Sequence, residues 1–194
     1  MYLLGININT VPVLDVRRKI TNKIIGNRSF SSDPLLVSKL GKICINTFHK
    51  NKIATVIKHI PGHGLSKTDS HEKLPIVDQN INYLNKVDFY PFKNQNSLLA
   101  MTAHIIYSSI DKKYTATHSK KVFNIIRKKI AFKNLVMSDD ISMKALKYST
   151  SMNTTQAFKA GCNLVLHCNG KYNEMLIVAK NSPLVDKFII KKTS

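Results

Sequence analysis

Residues 54–64 read Ala54-Thr-Val-Ile-Lys58-His59-Ile60-Pro61-Gly62-His63-Gly64. A short, largely apolar run with β-branched residues ends in a cation and an imidazole, then breaks into a proline–glycine turn. Its length and composition suit a strand covered on both faces. Pro61, Gly62 and Gly64 forbid a continuing helix and allow a tight turn with close backbone approach. Polar side chains therefore stand at the exit of a buried strand. The same arrangement recurs at His104 and again at Ser138-Asp139-Asp140, each closing an apolar run. In (β/α) barrels chemistry collects at the C-terminal ends of several strands. Polar clusters at successive strand ends are hard to explain as core, so they favour a barrel over a small doubly wound sheet.

Along the rest of the chain, apolar runs at residues 3–13, 54–60, 97–105, 134–138 and 163–168 predict five strands, with amphipathic stretches between them. Asp33-Pro34 reads as an N-cap followed by proline at the first helical position. Beyond it Leu36, Val37, Leu40, Cys44 and Phe48 form one apolar stripe to about residue 50. Ser119 can cap a second helix bearing Val122, Ile126 and Ile130. A third is predicted over residues 154–160, ended by Gly161 in a left-handed cap. With no internal repeat or linker, residues 1–194 are expected to form a single domain.

Thirty Lys/Arg against eleven Asp/Glu give a formal net charge of +19 over 194 residues, of which 43% are hydrophobic. The lysines are scattered, so solvated helix faces account for most of them, and no specific nucleic-acid partner is expected. No apolar run approaches the roughly 18–20 residues that span a bilayer, and the first residues lack the features of a signal peptide. Cys44, Cys162 and Cys168 form no CxxC pair. A reduced, cytoplasmic setting is the expectation, with no membrane association.

His59 and His63 have the spacing of a helical zinc pair, but Pro61-Gly62 lies between them, and no HExxH or cysteine partner is available. No metal and no organic cofactor are expected. Asp69-Ser70-His71 follows the glycine-rich strand exit, and an Asp beside a His can orient the ring for proton transfer near neutrality. The run Asn134-Leu-Val-Met-Ser-Asp139-Asp140 has the form of a sheet delivering a carboxylate to a site. Alternatively, Asp139 or Asp140 caps the next helix, a reading more plausible for Asp140 than for both. Walker A, GxSxG and GxGxxG signatures do not occur.

Taken in order, several motifs resemble the bacterial β-N-acetylhexosaminidases of glycoside hydrolase family 3. They are Pro12-Val-Leu-Asp-Val16, Gly26-Asn-Arg28-Ser-Phe30, Lys58-His-Ile-Pro-Gly-His-Gly64, Asp69-Ser-His71, Pro91-Phe92, Met101-Thr-Ala-His104, Ala116-Thr-His-Ser119, Val136-Met-Ser-Asp-Asp140 and Ala160-Gly-Cys162. The resemblance implies an α/β fold of the TIM (β/α)8 type and retaining hydrolysis of terminal β-linked N-acetylglucosamine, in the cytoplasmic branch during muropeptide recycling. By motif position, Asp139 corresponds to the nucleophile, His71 to the general acid/base and Asp69 to its partner. Arg28, Lys58 and His59 correspond to residues holding the sugar hydroxyls. The substrate implied is an N-acetylglucosamine-containing saccharide.

Two departures accompany the resemblance. Thr115 stands where the family usually has proline. The chain also begins close to the Pro12–Val16 motif, where family members have roughly a hundred further residues, so only about five of eight βα units are expected. A barrel missing its first strands leaves open sheet edges. The expectation is thus an N-terminally truncated catalytic part that a complementing N-terminal fragment could complete. The competing reading is an inactive remnant or polyanion-binding protein of the same fold.

Overall fold

A computed structural model describes residues 1–68 and 73–194. Seven strands occur among them: β1 (Ile8–Asn9), β2 (Ala54–Ile60), β3 (Ile76–Val77), β4 (Leu99–Thr102), β5 (Ile106–Tyr107), β6 (Leu135–Asp140) and β7 (Leu164–Leu166). Five form one parallel sheet in the order β1-β2-β4-β6-β7, and β3 pairs with β5 in a small second sheet. The register runs Ile8 to Ala54, Val56 to Leu99, Leu99 to Leu135 and Met137 to Leu164. Each new strand joins the same edge. Crossovers of one hand then place the helices on one face and leave the other as a lumen. The sheet curls into a half-barrel, not a doubly wound sheet whose order reverses.

The helices are α1 (Pro34–Lys50), α2 (Ile81–Lys86), α3 (Lys120–Lys128), α4 (Thr150–Ala160), α5 (Tyr172–Asn181) and α6 (Lys187–Thr193). Asp33 caps α1 by accepting from the Leu35 amide at 2.9 Å, ahead of Pro34, and Ser119 caps α3 through the Val122 amide at 3.3 Å. None of the helices is long and apolar enough to cross a membrane among the described residues.

Several boundaries differ from expectation. The first strand shrinks from residues 3–13 to Ile8–Asn9, because Tyr2–Leu4 turn as a 3-10 helix and only Val13 bridges back to Lys58. Helix α4 begins at Thr150, since Ser149 caps it by accepting from the Met152 amide at 3.3 Å. Gly161 ends that helix at φ 132° and ψ 11°, a positive-φ conformation outside the left-handed α region. Strands β3 and β5 and helices α2, α5 and α6 had no sequence expectation. The first two are dipeptides, too short for any periodicity to register.

Strand alternation sorts the core into two layers. Ile57, Ala100 and Val136 face the helices, where they meet Leu14, Val37, Ile45, Val122, Ile126 and Ala157. Val56, Leu99, Met101 and Leu135 face the lumen, packed by Met137, Leu164, Leu166 and Ile189 of α6. Lys192 of α6 donates to Asn134 Oδ1 at 2.6 Å, tying this helix beside the start of β6. The helix-facing layer is much the larger. At about 2 kcal/mol for each fully buried Leu or Ile, it supplies most of the hydrophobic stabilisation.

Candidate active site

Continued by two residues, the lumen alternation passes from Val56 to Lys58 on β2 and from Met137 to Asp139 on β6. Both side chains so reach the C-terminal rim of the half-barrel on the inner side. Lys58 is half-buried and senses Arg28, Asp139 and Asp15 electrostatically. Burial lowers its pKa first, Arg28 adds to this, and the two carboxylates oppose it. Arg28 is exposed, with its Nε donating to the Ile24 carbonyl at 2.8 Å.

Beneath the rim lies Asp15, fully buried. Its Oδ2 accepts from His59 Nδ1 at 2.7 Å, and its Oδ1 from the amides of His59 at 3.2 Å and His63 at 2.6 Å. Burial alone would raise the Asp15 pKa, but the adjacent His59 and the His63 amide hold it below its ordinary value. A carboxylate only accepts, so His59 Nδ1 carries a proton and Nε2 is the nitrogen left for a ligand. The Lys58–His59 peptide is cis, and the pairing of β2 with β4 shifts register between Lys58 and Ile60.

His63 stacks edge-on to His59 with ring centroids 5.5 Å apart. Burial, and then His59, push its pKa down to about 4 against the pull of Asp15 and Asp139, so its imidazole is neutral at pH 7. The two histidines separated by Pro61-Gly62 do meet, through a turn and not along a helix. Among the described residues no group of three or more His, Cys, Asp or Glu is placed to hold a metal ion.

The β6 rim is braced from behind. His104 is fully buried, with Nε2 3.0 Å from the Asp140 carbonyl oxygen and Nδ1 2.7 Å from Thr117 Oγ1. Burial lowers its pKa. In the neutral ring Nε2 must donate to the carbonyl, so Nδ1 accepts from Thr117, whose oxygen takes the Thr102 hydroxyl at 2.8 Å. Asp139 Oδ1 accepts from the Asp140 amide at 2.8 Å. Asp140 itself caps the turn, not a helix. Its Oδ1 accepts from the Ser142 amide at 3.0 Å and from the Cys168 amide at 3.1 Å.

The described part of the site thus gathers two cations, two carboxylates and neutral imidazole at one strand-end rim. Such a balanced array of donors and acceptors suits an uncharged polyhydroxyl ligand. Lys58, His59, Arg28 and Asp139 are brought together; Asp69 and His71 lie outside the described residues.

The family profile for "Glycosyl hydrolase family 3 N terminal domain" matches residues 1–193. The chain belongs to glycoside hydrolase family 3. A curated beta-hexosaminidase of Idiomarina loihiensis is 32% identical over 186 residues, covering 94% of this chain and 56% of the relative. One of Haemophilus influenzae is 34% identical over 194 residues, covering 94% and 55%. The solved family 3 β-N-acetylglucosaminidase of Paenibacillus sp. FPU-7 superposes at TM-score 0.88 with 30% identity, over 93% of this chain and 35% of that one. Native NagZ of Neisseria gonorrhoeae gives 0.86 with 29% identity, over 97% and 55%. The chain spans about half the length of the curated relatives it matches.

Within this family 3 frame, the sequence reading missed Asp15 as a functional element. Its signal was a lone acid inside the apolar Pro12-Val-Leu-Asp-Val16. It also missed Asp88, 1% exposed, whose two carboxyl oxygens have no hydrogen-bond partner among the described residues and whose pKa is raised by burial to about 7.

Proposed function

We propose that this chain carries the catalytic machinery of a retaining β-N-acetylhexosaminidase acting on N-acetylglucosamine-containing saccharides. The observation that carries the reading is the convergence of Lys58 and Asp139 at the lumen rim of a family 3 half-barrel, where catalytic groups sit in barrels of this type. Asp139 attacks the anomeric carbon. His71, oriented by Asp69, protonates the departing glycosidic oxygen and then activates water to break the glycosyl–Asp139 ester. An imidazole, with an ordinary pKa of about 6.5, can give and take a proton at neutral pH. Arg28, Lys58 and His59 Nε2 hold the sugar hydroxyls, with Asp15 fixing the His59 ring.

Substrate from muropeptide recycling in the cytoplasm fits this activity. β1 and β7 are the outer strands of the described sheet, and a closed barrel needs further βα units beside them. A complementing N-terminal fragment is the partner we assign. The test is hydrolysis of a chromogenic β-N-acetylglucosaminide by the chain alone and with the N-terminal half of a curated relative. Hydrolysis in either arm that disappears in Asp139→Asn supports the reading. Hydrolysis that survives Asp139→Asn removes the nucleophile assignment, and none in either arm removes the activity.

A further inference from the structure

Strand β5 and its next residue grip both ends of the stretch that follows β2. At the near end the Tyr107 hydroxyl donates to the Gly62 carbonyl oxygen, and the Gly62 amide donates to the His59 carbonyl at 2.7 Å. At the far end the Ile106 amide donates to the Pro75 carbonyl at 3.0 Å and the Ser108 amide to the Val77 carbonyl at 3.0 Å. Ser108 Oγ reaches Asp78 Oδ1 at 2.6 Å. Residues 62–75 therefore begin and end on three consecutive residues, 106–108.

The near end is also wedged. Gly62 sits at φ 142°, and a Cβ there would come within 2.9 Å of both Cβ and the carbonyl oxygen of Asp88. Tyr107 is 1% exposed, its ring edge-on to Phe89 at 5.9 Å, so the hydroxyl cannot swing aside without disturbing the core. A buried tyrosine hydroxyl needs a partner, and here that partner is the loop itself. Pinning both ends of a loop removes much of its conformational freedom.

We propose that Tyr107 is a positioning residue for the acid/base step assigned above: through Gly62, and together with the β3–β5 pairing, it holds the described stretches on either side of residues 69–72. The inference rests on the hydrolytic reading above. Tyr107 acts on the Gly62 carbonyl and has no role of its own in bond cleavage.

The test compares the unaltered chain with Tyr107→Phe, which deletes only the hydroxyl. Amide hydrogen exchange in peptides covering residues 60–76 is expected to rise about three- to tenfold, the factor one net hydrogen bond is worth. Exchange in β4 and β6 stays unchanged. No rise in 60–76, or an equal rise everywhere, overturns the clamp. Should Tyr107→Phe fail to fold, Ser108→Ala loosens the far end and is expected to raise exchange over residues 73–79 alone; no local rise there overturns the clamp equally. In the hydrolysis assay that gives activity, kcat/KM of Tyr107→Phe is expected to fall about tenfold for a poorly activated leaving group. For a dinitrophenyl glycoside, whose departure needs little protonation, it stays within about twofold. Equal losses on both substrates overturn the positioning role. If the unaltered chain hydrolyses neither, the hydrolytic reading falls, and exchange alone decides whether Tyr107 is a clamp.

Discussion

Asp15 Oδ2 and His59 Nδ1 lie 2.7 Å apart, both residues buried, with the same carboxylate also accepting the His59 and His63 amides. One side chain from the segment after β1 therefore fixes the imidazole at the end of β2 and the turn that follows it.

Asp15→Ala leaves two buried amides and a ring N–H without their acceptor. We expect a loss of about 3–5 kcal/mol, the scale of leaving three buried donors unsatisfied at about 1–3 kcal/mol each, read by urea denaturation. A loss under about 1 kcal/mol would contradict this role. The folded-state pKa of Asp15 is depressed, so its contribution is present above the ordinary value of 3.8 and is lost as pH falls below it. The variant should accordingly unfold with a shallower acid limb.

Asp88 carries the opposite sign. Its pKa rises from 3.8 to about 7 on folding, so between these values the folded chain holds a proton that the unfolded chain releases, and stability falls as pH rises. Asp88→Asn mimics the protonated form. It should match the unaltered chain below pH 4 and exceed it at pH 8 by on the order of 2–4 kcal/mol. His63, depressed to about 4, gives the reverse trend between pH 4 and 6.5 in both proteins, so the difference between them isolates Asp88. Parallel stability curves would refute the assignment.

Gly64→Ala should be poorly tolerated. A Cβ at this position would sit on the Val16 carbonyl oxygen, and Thr21 Oγ1 already holds the Gly64 carbonyl at 2.5 Å, so neither backbone can retreat. A loss of about 2–3 kcal/mol is expected in thermal denaturation.

His104→Ala removes the ring that joins Thr117 to the Asp140 carbonyl, leaving a buried hydroxyl and a buried carbonyl facing a cavity. We expect about 2–4 kcal/mol of destabilisation together with loss of any Asp139-dependent hydrolysis. Normal hydrolysis at a lowered melting point would show that the brace supports the fold and not Asp139.

Some of this was legible because it is written in neighbouring residues. The strand at 54–60, the Asp33-Pro34 and Ser119 caps, and the acids closing β6 each depend on side chains a few positions apart, and local alternation or a missing amide donor is enough to place them. Tyr107 and the partners of His104 are different. His104 stands out in the sequence as a strand-end residue, but its hold on the Asp140 carbonyl, like that of Tyr107 on Gly62, reaches a backbone distant in sequence.

Short apolar strands ending in polar clusters, and motifs in the family order, are written in the residues alone. That Asp15 serves both His59 and His63, that Lys58 and Asp139 share the lumen side, and that β5 and its next residue hold both Gly62 and Pro75 emerges only in the folded chain. The physical reason is that alternation along a strand is set by backbone geometry and can be read locally. Which carboxylate meets which imidazole depends on sheet curvature, register and the path of the connecting loops, and these arise only when the strands pair.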